Sequence, residues 1–229
     1  MATTAGPFVG GLMLKETPTA LQPVLFADEH LLVLNKPAGL LSVPGRGPDK
    51  QDCVLSRLQN SHPEALVVHR LDMATSGLMV FALHADSQRQ LSMMFAARDI
   101  EKKYTAWVHG RLPVGDSWHT IDQPLMADWP NRPLQKIDAQ GKPSVTLWRC
   151  MQHHAHQHAS LLQLVPLTGR SHQLRVHLQS IGHPICGDAL YAPLEQNANR
   201  LMLHACELGF THPYTQQALQ WHSPPEWSF

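Results

Sequence analysis

The stretch His69-Arg70-Leu71-Asp72-Met73-Ala74-Thr75-Ser76-Gly77 joins two apolar segments, residues 66–68 and residues 78–83. Threonine, serine and glycine favour turns, so this pattern predicts two strands connected by an exposed bend. Arg70 and Asp72 are two residues apart and can point the same way, because side chains of extended chain repeat every two residues. A charged pair at a strand end contributes little to a core, whereas loops on a rigid framework commonly carry functional residues. The stretch therefore predicts a β-framework with a site at its edge.

The composition limits the classes of protein to which the chain can belong. The 229 residues include 18 lysines and arginines and 18 aspartates and glutamates, so the formal net charge is zero. Proteins that coat nucleic acid without specificity usually carry a basic excess, so we expect at most a local basic surface for one folded RNA. The apolar runs are much shorter than the roughly 20 residues of a membrane helix, and residues 1–15 lack the features of a signal peptide. We expect a cytoplasmic protein without a membrane segment.

The cysteines and histidines do not favour a disulfide framework or a metal site. The four cysteines are far apart and lack a Cys-x-x-Cys spacing, which indicates buried free thiols in a reducing compartment. Residues 153–158 contain four histidines between two predicted strands, where a solvated hairpin loop is the ordinary interpretation. A metal site needs fixed geometry and supporting hydrogen bonds, so we expect no metal there.

The distribution of apolar residues predicts an α+β fold with a mixed, largely antiparallel β-sheet and flanking helices. Residues 1–20 are expected to form a flexible leader, and residues 21–229 one domain. A hairpin is predicted in residues 24–34, and a helix is predicted with Asp86 as its N-cap. Residues 111–143 are polar and rich in proline, which predicts an insertion or an irregular flap. Further strands are expected at residues 104–108, 145–148, 160–167 and 201–210.

Asp72 is the candidate reactive carboxylate. The alternative interpretation is an aspartate that only caps the turn before Thr75 and Ser76. A nearby guanidinium favours the ionised carboxylate, which suits a nucleophile or a base, and Arg70 is a candidate for this role.

A second group of candidate partners follows Thr168-Gly169, at a predicted change from strand to helix. Arg170, His172 and Arg175 could border one pocket there, because helix positions three and four apart share a face. The alternative is a basic helix start that faces solvent. A cation at a helix N-terminus opposes the macrodipole, which favours an anionic partner for Arg170.

Tyr104 follows two lysines, Lys102 and Lys103, at the start of a predicted strand. The segment can be a solvated edge with a half-buried tyrosine. It can also provide a ring on which an extruded base stacks and a hydroxyl for proton transfer. The residues alone do not decide between the two.

Taken together, these segments resemble the RluA family of pseudouridine synthases over residues 24–225. The catalytic motif of the family is similar to residues 69–77, and its tyrosine motif is similar to Lys103-Tyr104. The remaining similar segments are Asn35-Lys36-Pro37-Ala38-Gly39-Leu40, Thr168-Gly169-Arg170 with His172-Gln173-Leu174-Arg175 and His177, Gly182-His183-Pro184, Gly187-Asp188 with Tyr191, and Leu203-His204-Ala205.

The resemblance implies the pseudouridine synthase fold without an S4 domain, and the isomerisation of uridine to pseudouridine in RNA by a monomer. No cofactor is implied, because nothing is added or lost. Asp72 would either attack the ribose C1′ or remove its 2′ proton, and Arg170 would pair with Asp72. Tyr104 would stack on the base, and Arg70 would fill the space that the flipped uridine leaves. The implied substrate-binding residues are His69, Arg70, Lys103 and Leu174.

Within this family, three segments are similar to members that modify both 23S rRNA and tRNA stem-loops: residues 41–46, Met73-Ala74 and residues 128–133. Two alternatives stay open. One is a synthase of the same family that acts on a single tRNA or rRNA site. The other is a non-catalytic RNA-binding module that retains the fold.

Overall fold

A computed structural model describes residues 24–192 and 198–227, and the predicted leader lies outside these ranges. Within them the chain forms twelve strands and three α-helices. The helices are α1 (Val54–Leu58), α2 (Ala85–Ala97) and α3 (Gln173–Ser180). The strands are β1 (Val24–Ala27), β2 (Leu31–Lys36), β3 (Leu66–Val67), β4 (Ser76–Ala82), β5 (Glu101–His109), β6 (His119–Asp122), β7 (Leu125–Ala127), β8 (Gln135–Ile137), β9 (Val145–His153), β10 (Ala159–Pro166), β11 (Leu203–Thr211) and β12 (Ala218–His222).

Ten of these strands form one sheet in the order β1-β2-β4-β11-β5-β10-β9-β6, with β3 also paired to β4 and β12 to β11. The β4–β11 pair is parallel, and the other pairs of the sheet are antiparallel. Strands β7 and β8 form a separate hairpin. The expected α+β fold with a mixed, largely antiparallel sheet is confirmed.

The core lies on both faces of the sheet. All seven residues of β4 are buried, which is typical of a strand covered on both sides. One face of β4 packs with α2, and α3 packs with the other half of the sheet around β5 and β10. The four cysteines are buried and free, as predicted. Among the described residues, no helix has the length and hydrophobicity needed to cross a membrane.

Two local predictions were wrong. Helix α2 is capped by His84, whose Nδ1 accepts a hydrogen bond from the Ser87 amide at 3.2 Å, rather than by Asp86. The segment 111–143 contains β6 and the β7–β8 hairpin instead of an irregular flap. Its apolar residues explain the difference, because Leu125 is buried against Val176 of α3. The histidine-rich residues 154–158 form the loop between β9 and β10, as predicted.

Gly77 of β4 is paired with Ala205 of β11 in the parallel part of the sheet. Its φ is +122°, and a Cβ there would lie 2.4 Å from the backbone nitrogen and oxygen of Ala205. We expect Gly77→Ala to destabilise the protein by more than about 2 kcal/mol, because the left-handed backbone and the clash act together. Urea unfolding measures the change. Gly115→Ala is the control, since nothing lies within 4 Å of a Cβ there; equal stabilities for both variants would contradict the prediction.

His204 joins the same two strands and should make folding sensitive to acid. Its Nδ1 lies 2.8 Å from Ser76 Oγ and its Nε2 lies 3.0 Å from the Ser223 carbonyl oxygen, so the neutral ring satisfies both. Burial lowers the pKa of His204 from 6.5 to about 4. The unfolded chain therefore binds this proton more readily, and stability present above pH 6.5 is lost as the pH falls towards 4.

We expect this group to contribute a loss of about 2 kcal/mol between pH 7 and pH 5. Urea unfolding of wild type and His204→Gln at both pH values measures it. The variant should show the shallower dependence on pH, and parallel dependences would contradict the assignment.

Candidate active site

Asp72 lies in the loop between β3 and β4, and the backbone of this loop is held on both sides of the residue. Before Asp72, the Ser42 hydroxyl donates to the Leu71 carbonyl at 2.7 Å and accepts from the Leu71 amide at 3.1 Å. After it, the Gly39 amide donates to the Met73 carbonyl at 2.8 Å. The carboxylate is therefore presented from a fixed backbone, as a reactive group requires.

Lys36 at the end of β2 stabilises the same loop through its buried ammonium group. Its ammonium donates to the carbonyl oxygens of Pro37 (2.8 Å), Leu40 (2.7 Å) and Met73 (3.1 Å), and its side chain is fully buried. Burial lowers the pKa of Lys36 to about 7, and the nearby charge of Asp72 opposes this shift. No function was predicted for Lys36, although the sequence shows a lysine at the end of an apolar strand.

The partner of Asp72 is Arg175. The Arg175 Nη1 atom lies 3.4 Å from Asp72 Oδ2, and His172 Nε2 lies 3.9 Å from the same oxygen. The guanidinium also makes two 2.7 Å hydrogen bonds to the buried carboxylate of Asp188. The guanidinium carbon of Arg175 lies 5.0 Å from the centroid of the Tyr191 ring. Arg175 is therefore held in one orientation, with one edge left for Asp72.

The predicted pairing of Arg170 with Asp72 is wrong in this structure. Arg170 is exposed, and its Nε donates to the Pro143 carbonyl at 3.3 Å. The reason is the position of α3, which begins at Gln173, so that Arg170 lies in the preceding turn while Arg175 points inward. Arg170 still lines the same cleft as Asp72. Its participation in catalysis stays a prediction.

Tyr104 faces the cleft from β5, near the middle of the sheet, and lines it together with Asp72. Burial is the main cause that raises the pKa of Tyr104 well above its usual value, and the negative charge of Asp72 adds to it. The hydroxyl is therefore neutral at physiological pH and keeps its proton.

Lys103 does not line the cleft. Because alternate residues of a strand point to opposite faces, Tyr104 and Lys102 share the cleft side and Lys103 points away. Its ammonium instead makes a 2.7 Å ion pair with Glu207 of β11. The substrate-side lysine in the structure is Lys102, whose Nζ lies 5.6 Å from the centroid of the Phe95 ring. Burial lowers the pKa of Lys102.

The other predicted substrate-binding residues differ in exposure and in their position relative to the cleft. His69 stacks on Phe95 at 4.5 Å, and its Nε2 accepts a hydrogen bond from the Val80 amide. Burial lowers the pKa of His69 to about 3, so its ring is uncharged at neutral pH. Arg70 is exposed and lines the cleft, whereas Leu174 is a core residue that lines a smaller cavity next to it.

The charges that line the cleft are strongly one-sided. The cleft has a volume of about 1060 Å³. Asp72 is its single acidic lining residue among the described parts of the chain, and its basic lining residues are Arg70, Arg98, Lys102, Arg170 and Arg175. The formal net charge of the protein is zero, but basic residues are concentrated around one carboxylate in this cleft. This local positive charge favours a polyanionic ligand. Hydrolysis of a glycosidic bond ordinarily uses two carboxylates and a placed water, and the cleft lining offers one.

The sequence of this chain is similar to those of known RNA pseudouridine synthases. Residues 30–180 match the protein family described as RNA pseudouridylate synthase. The dual-specificity RNA pseudouridine synthase RluA of Vibrio vulnificus is 48% identical over 196 residues, which cover 83% of this chain and 78% of that protein. The protein of the same name from Yersinia pestis is 48% identical over 193 residues, which cover 83% of this chain and 92% of that protein.

A solved structure has the same fold. Human RNA Pseudouridylate Synthase Domain Containing 1 superposes with a TM-score of 0.73 at 28% sequence identity, covering 90% of this chain and 84% of that chain. The sequence matches, the fold and the single carboxylate in a basic cleft agree. This chain therefore belongs to the RluA family of RNA pseudouridine synthases, which isomerise uridine to pseudouridine in RNA.

Proposed function

We propose that this enzyme modifies uridines in both 23S rRNA and the anticodon stem-loop of tRNAs, in the cytoplasm, with Asp72 as its catalytic carboxylate. The names of the relatives from Vibrio vulnificus and Yersinia pestis support the dual specificity. The four buried free cysteines support a reducing compartment. The observation that carries the proposal is the Asp72 carboxylate, paired with Arg175 in a basic cleft that it shares with Tyr104.

The cleft suits a nucleotide that has left its helix. Its volume of about 1060 Å³ is at the upper end of ordinary ligand sites. Extrusion of a nucleotide costs a few kcal/mol and is cheapest in a loop. A stem-loop substrate therefore fits the site better than a regular duplex does.

In the proposed reaction the bond between the ribose C1′ and uracil N1 breaks, the uracil turns, and C5 bonds to C1′. Asp72 either attacks C1′ or removes the 2′ proton. As C5 bonds to C1′, Asp72 is released from C1′ or returns the 2′ proton. C5 then loses its proton and N1 gains one, so the product is an isomer of the substrate and the C5 hydrogen is exchanged with water. The Tyr104 ring provides a stacking surface for the base. Its neutral hydroxyl takes part in the transfer of the proton that leaves C5.

The detached uracil must stay in the cleft while it turns. Apolar groups near the carboxylate, including Leu71 and Ala74, reduce the access of water to it. Lys36 and Ser42 hold the loop that carries Asp72 and so keep the carboxylate aligned with both positions of the base.

Two measurements test this proposal. Release of tritium from 5-tritiated uridine in tRNA and 23S rRNA fragments reports the reaction itself; no release from either RNA would favour the RNA-binding module. Carbodiimide mapping of both RNAs from a strain that lacks the gene reports the targets. We expect pseudouridine to disappear from one site or more in each RNA, and a loss confined to one RNA would refute dual specificity.

A further inference from the structure

The tip of the β7–β8 hairpin carries an exposed tryptophan that the reaction does not use. Trp129 is 68% exposed, which makes it the most exposed large hydrophobic residue among those described. The hairpin is docked through other residues: Leu125 is buried, and Leu134 and Ile137 pack with it against α3. The indole therefore contributes little to the core, and its exposure asks for another explanation.

The loop that carries Trp129 has a defined backbone. Trp129 begins a turn of 3₁₀ helix that ends at Asn131. Asp128 closes this turn at both ends, because its amide donates to the Leu134 carbonyl at 2.9 Å and its carboxylate accepts from Asn131 Nδ2 at 2.9 Å. A side chain on such a loop is presented with little loss of conformational freedom on binding.

Arg132 holds the indole ring itself. Its guanidinium carbon lies 3.0 Å from the centroid of the Trp129 ring, in a cation–π contact. Since the residue remains 68% exposed with one face covered, the opposite face of the ring is open to solvent. Trp129 and Arg132, called here the stacking platform, thus offer a flat aromatic surface next to a positive charge. Single-stranded nucleic acid binds to this combination.

The loop that carries Trp129 and Arg132 leads directly into residues that line the active-site cleft. Pro133 and Gln135, from the same loop and strand, line the cleft. Trp129 is four residues from Pro133, so the two are at most about 14 Å apart. The Gln135 amide donates to the Tyr191 hydroxyl at 2.8 Å, and that hydroxyl lies 2.6 Å from His172 Nδ1. The hairpin is therefore tied to the group that contacts Asp72.

We propose that Trp129, held by Arg132, stacks on a base that flanks the flipped uridine and so sets the affinity of the enzyme for its RNA loops. The occupant is an unpaired nucleotide of the same RNA whose uridine enters the cleft. The inference rests on the proposed action on RNA stem-loops. It adds a contact outside the catalytic machinery, and it concerns binding rather than the chemical step.

The experiment uses the full chain and an anticodon stem-loop transcript with 5-tritiated uridine. Trp129→Ala should raise KM and Kd about tenfold, as loss of one stacked base does, and leave kcat within about twofold. Trp129→Phe retains an aromatic face and should restore most of the affinity. The matched control is Trp118→Ala, because Trp118 is also exposed and contacts an arginine, Arg149. Its segment precedes the edge strand β6 and, unlike the β7–β8 hairpin, contributes no residue to the cleft lining.

A second readout follows the stacking directly. With 2-aminopurine beside the target uridine, binding of wild type should quench the fluorescence of the base more than binding of Trp129→Ala does. Unchanged KM and Kd in Trp129→Ala, equal losses in Trp118→Ala, or a loss confined to kcat would each overturn the inference. Failure of wild type to release tritium would instead overturn the proposed function, while Kd and quenching would still test the stacking platform.

Discussion

Tritium release from the stem-loop transcript is expected to fall by at least about 10⁴-fold in Asp72→Asn, the scale on which loss of an essential catalytic group acts. Asparagine has nearly the shape of aspartate, but its neutral amide neither attacks C1′ nor accepts a proton from C2′. The substitution removes the reactive group at almost constant volume. No other carboxylate lines the cleft within the described residues, so none is placed to take over.

The same variant should fold and bind RNA. Arg175 loses its 3.4 Å contact to a charged Asp72 but keeps both hydrogen bonds to Asp188, so no buried charge becomes unpaired. The basic residues of the cleft lining also remain. We therefore expect a Kd for RNA close to that of wild type, measured by fluorescence anisotropy, and an unchanged midpoint of thermal unfolding.

Asp116→Asn provides the control for removal of a carboxylate, because Asp116 is fully exposed and does not line the cleft. It should keep the activity of wild type. If Asp72→Asn retained activity within tenfold of wild type, Asp72 would not be the reactive group, and the interpretation of this residue as a turn cap would be favoured instead.

The fold class and the position of Asp72 were predictable because both depend on short-range patterns. Apolar runs on either side of a polar bend define β3 and β4, and a loop between paired strands lies at the edge of a sheet. Tyr104 could be proposed for the same reason, since it lies near the start of its strand, β5. None of these inferences needs the position of a residue far away in the sequence.

The wrong predictions concern the lysine that lines the cleft and the arginine that pairs with Asp72. Their placement depends on one residue of strand register and on the exact start of a helix. Lys102 and Lys103 are adjacent, and the side of β5 that Tyr104 occupies selects Lys102 for the cleft. For the arginines, the start of α3 is decisive. Gln173 Oε1 accepts hydrogen bonds from Thr168 Oγ1 at 2.7 Å and from the Arg170 amide at 3.1 Å, which fixes a turn at Arg170 before the helix begins.

The roles of Lys36 and Asp188 depend on contacts between distant segments, so the family-like segments that contain these residues did not reveal them. The burial of Lys36 is tolerated because three carbonyl groups converge on its ammonium, and one of them belongs to the catalytic loop. Likewise, Asp188 lies in a turn after α3, and only the fold shows that it orients Arg175.

The second prediction with a large effect tests whether Arg175 or Arg170 is the partner of Asp72. Arg175→Met should lower the free energy of unfolding by about 3–5 kcal/mol, because it leaves the fully buried Asp188 carboxylate without its partner. It should also lower kcat by about 10²–10³-fold, the range for loss of one preorganised donor at a reacting charge. Arg170→Met removes an exposed side chain and should leave stability within about 0.5 kcal/mol and act mainly on KM.

Loss of stability alone could explain inactivity in Arg175→Met, so a double variant is needed. Arg175→Met with Asp188→Asn replaces the buried ion pair by neutral groups and keeps an oxygen for the amides of Leu190 and Tyr191. Removal of both charges should recover much of the stability, whereas removal of one does not. Activity should stay low, because Asp72 still has no guanidinium partner. Recovery of kcat in the double variant would limit Arg175 to a structural role, and a kcat defect only in Arg170→Met would restore the pairing predicted from sequence.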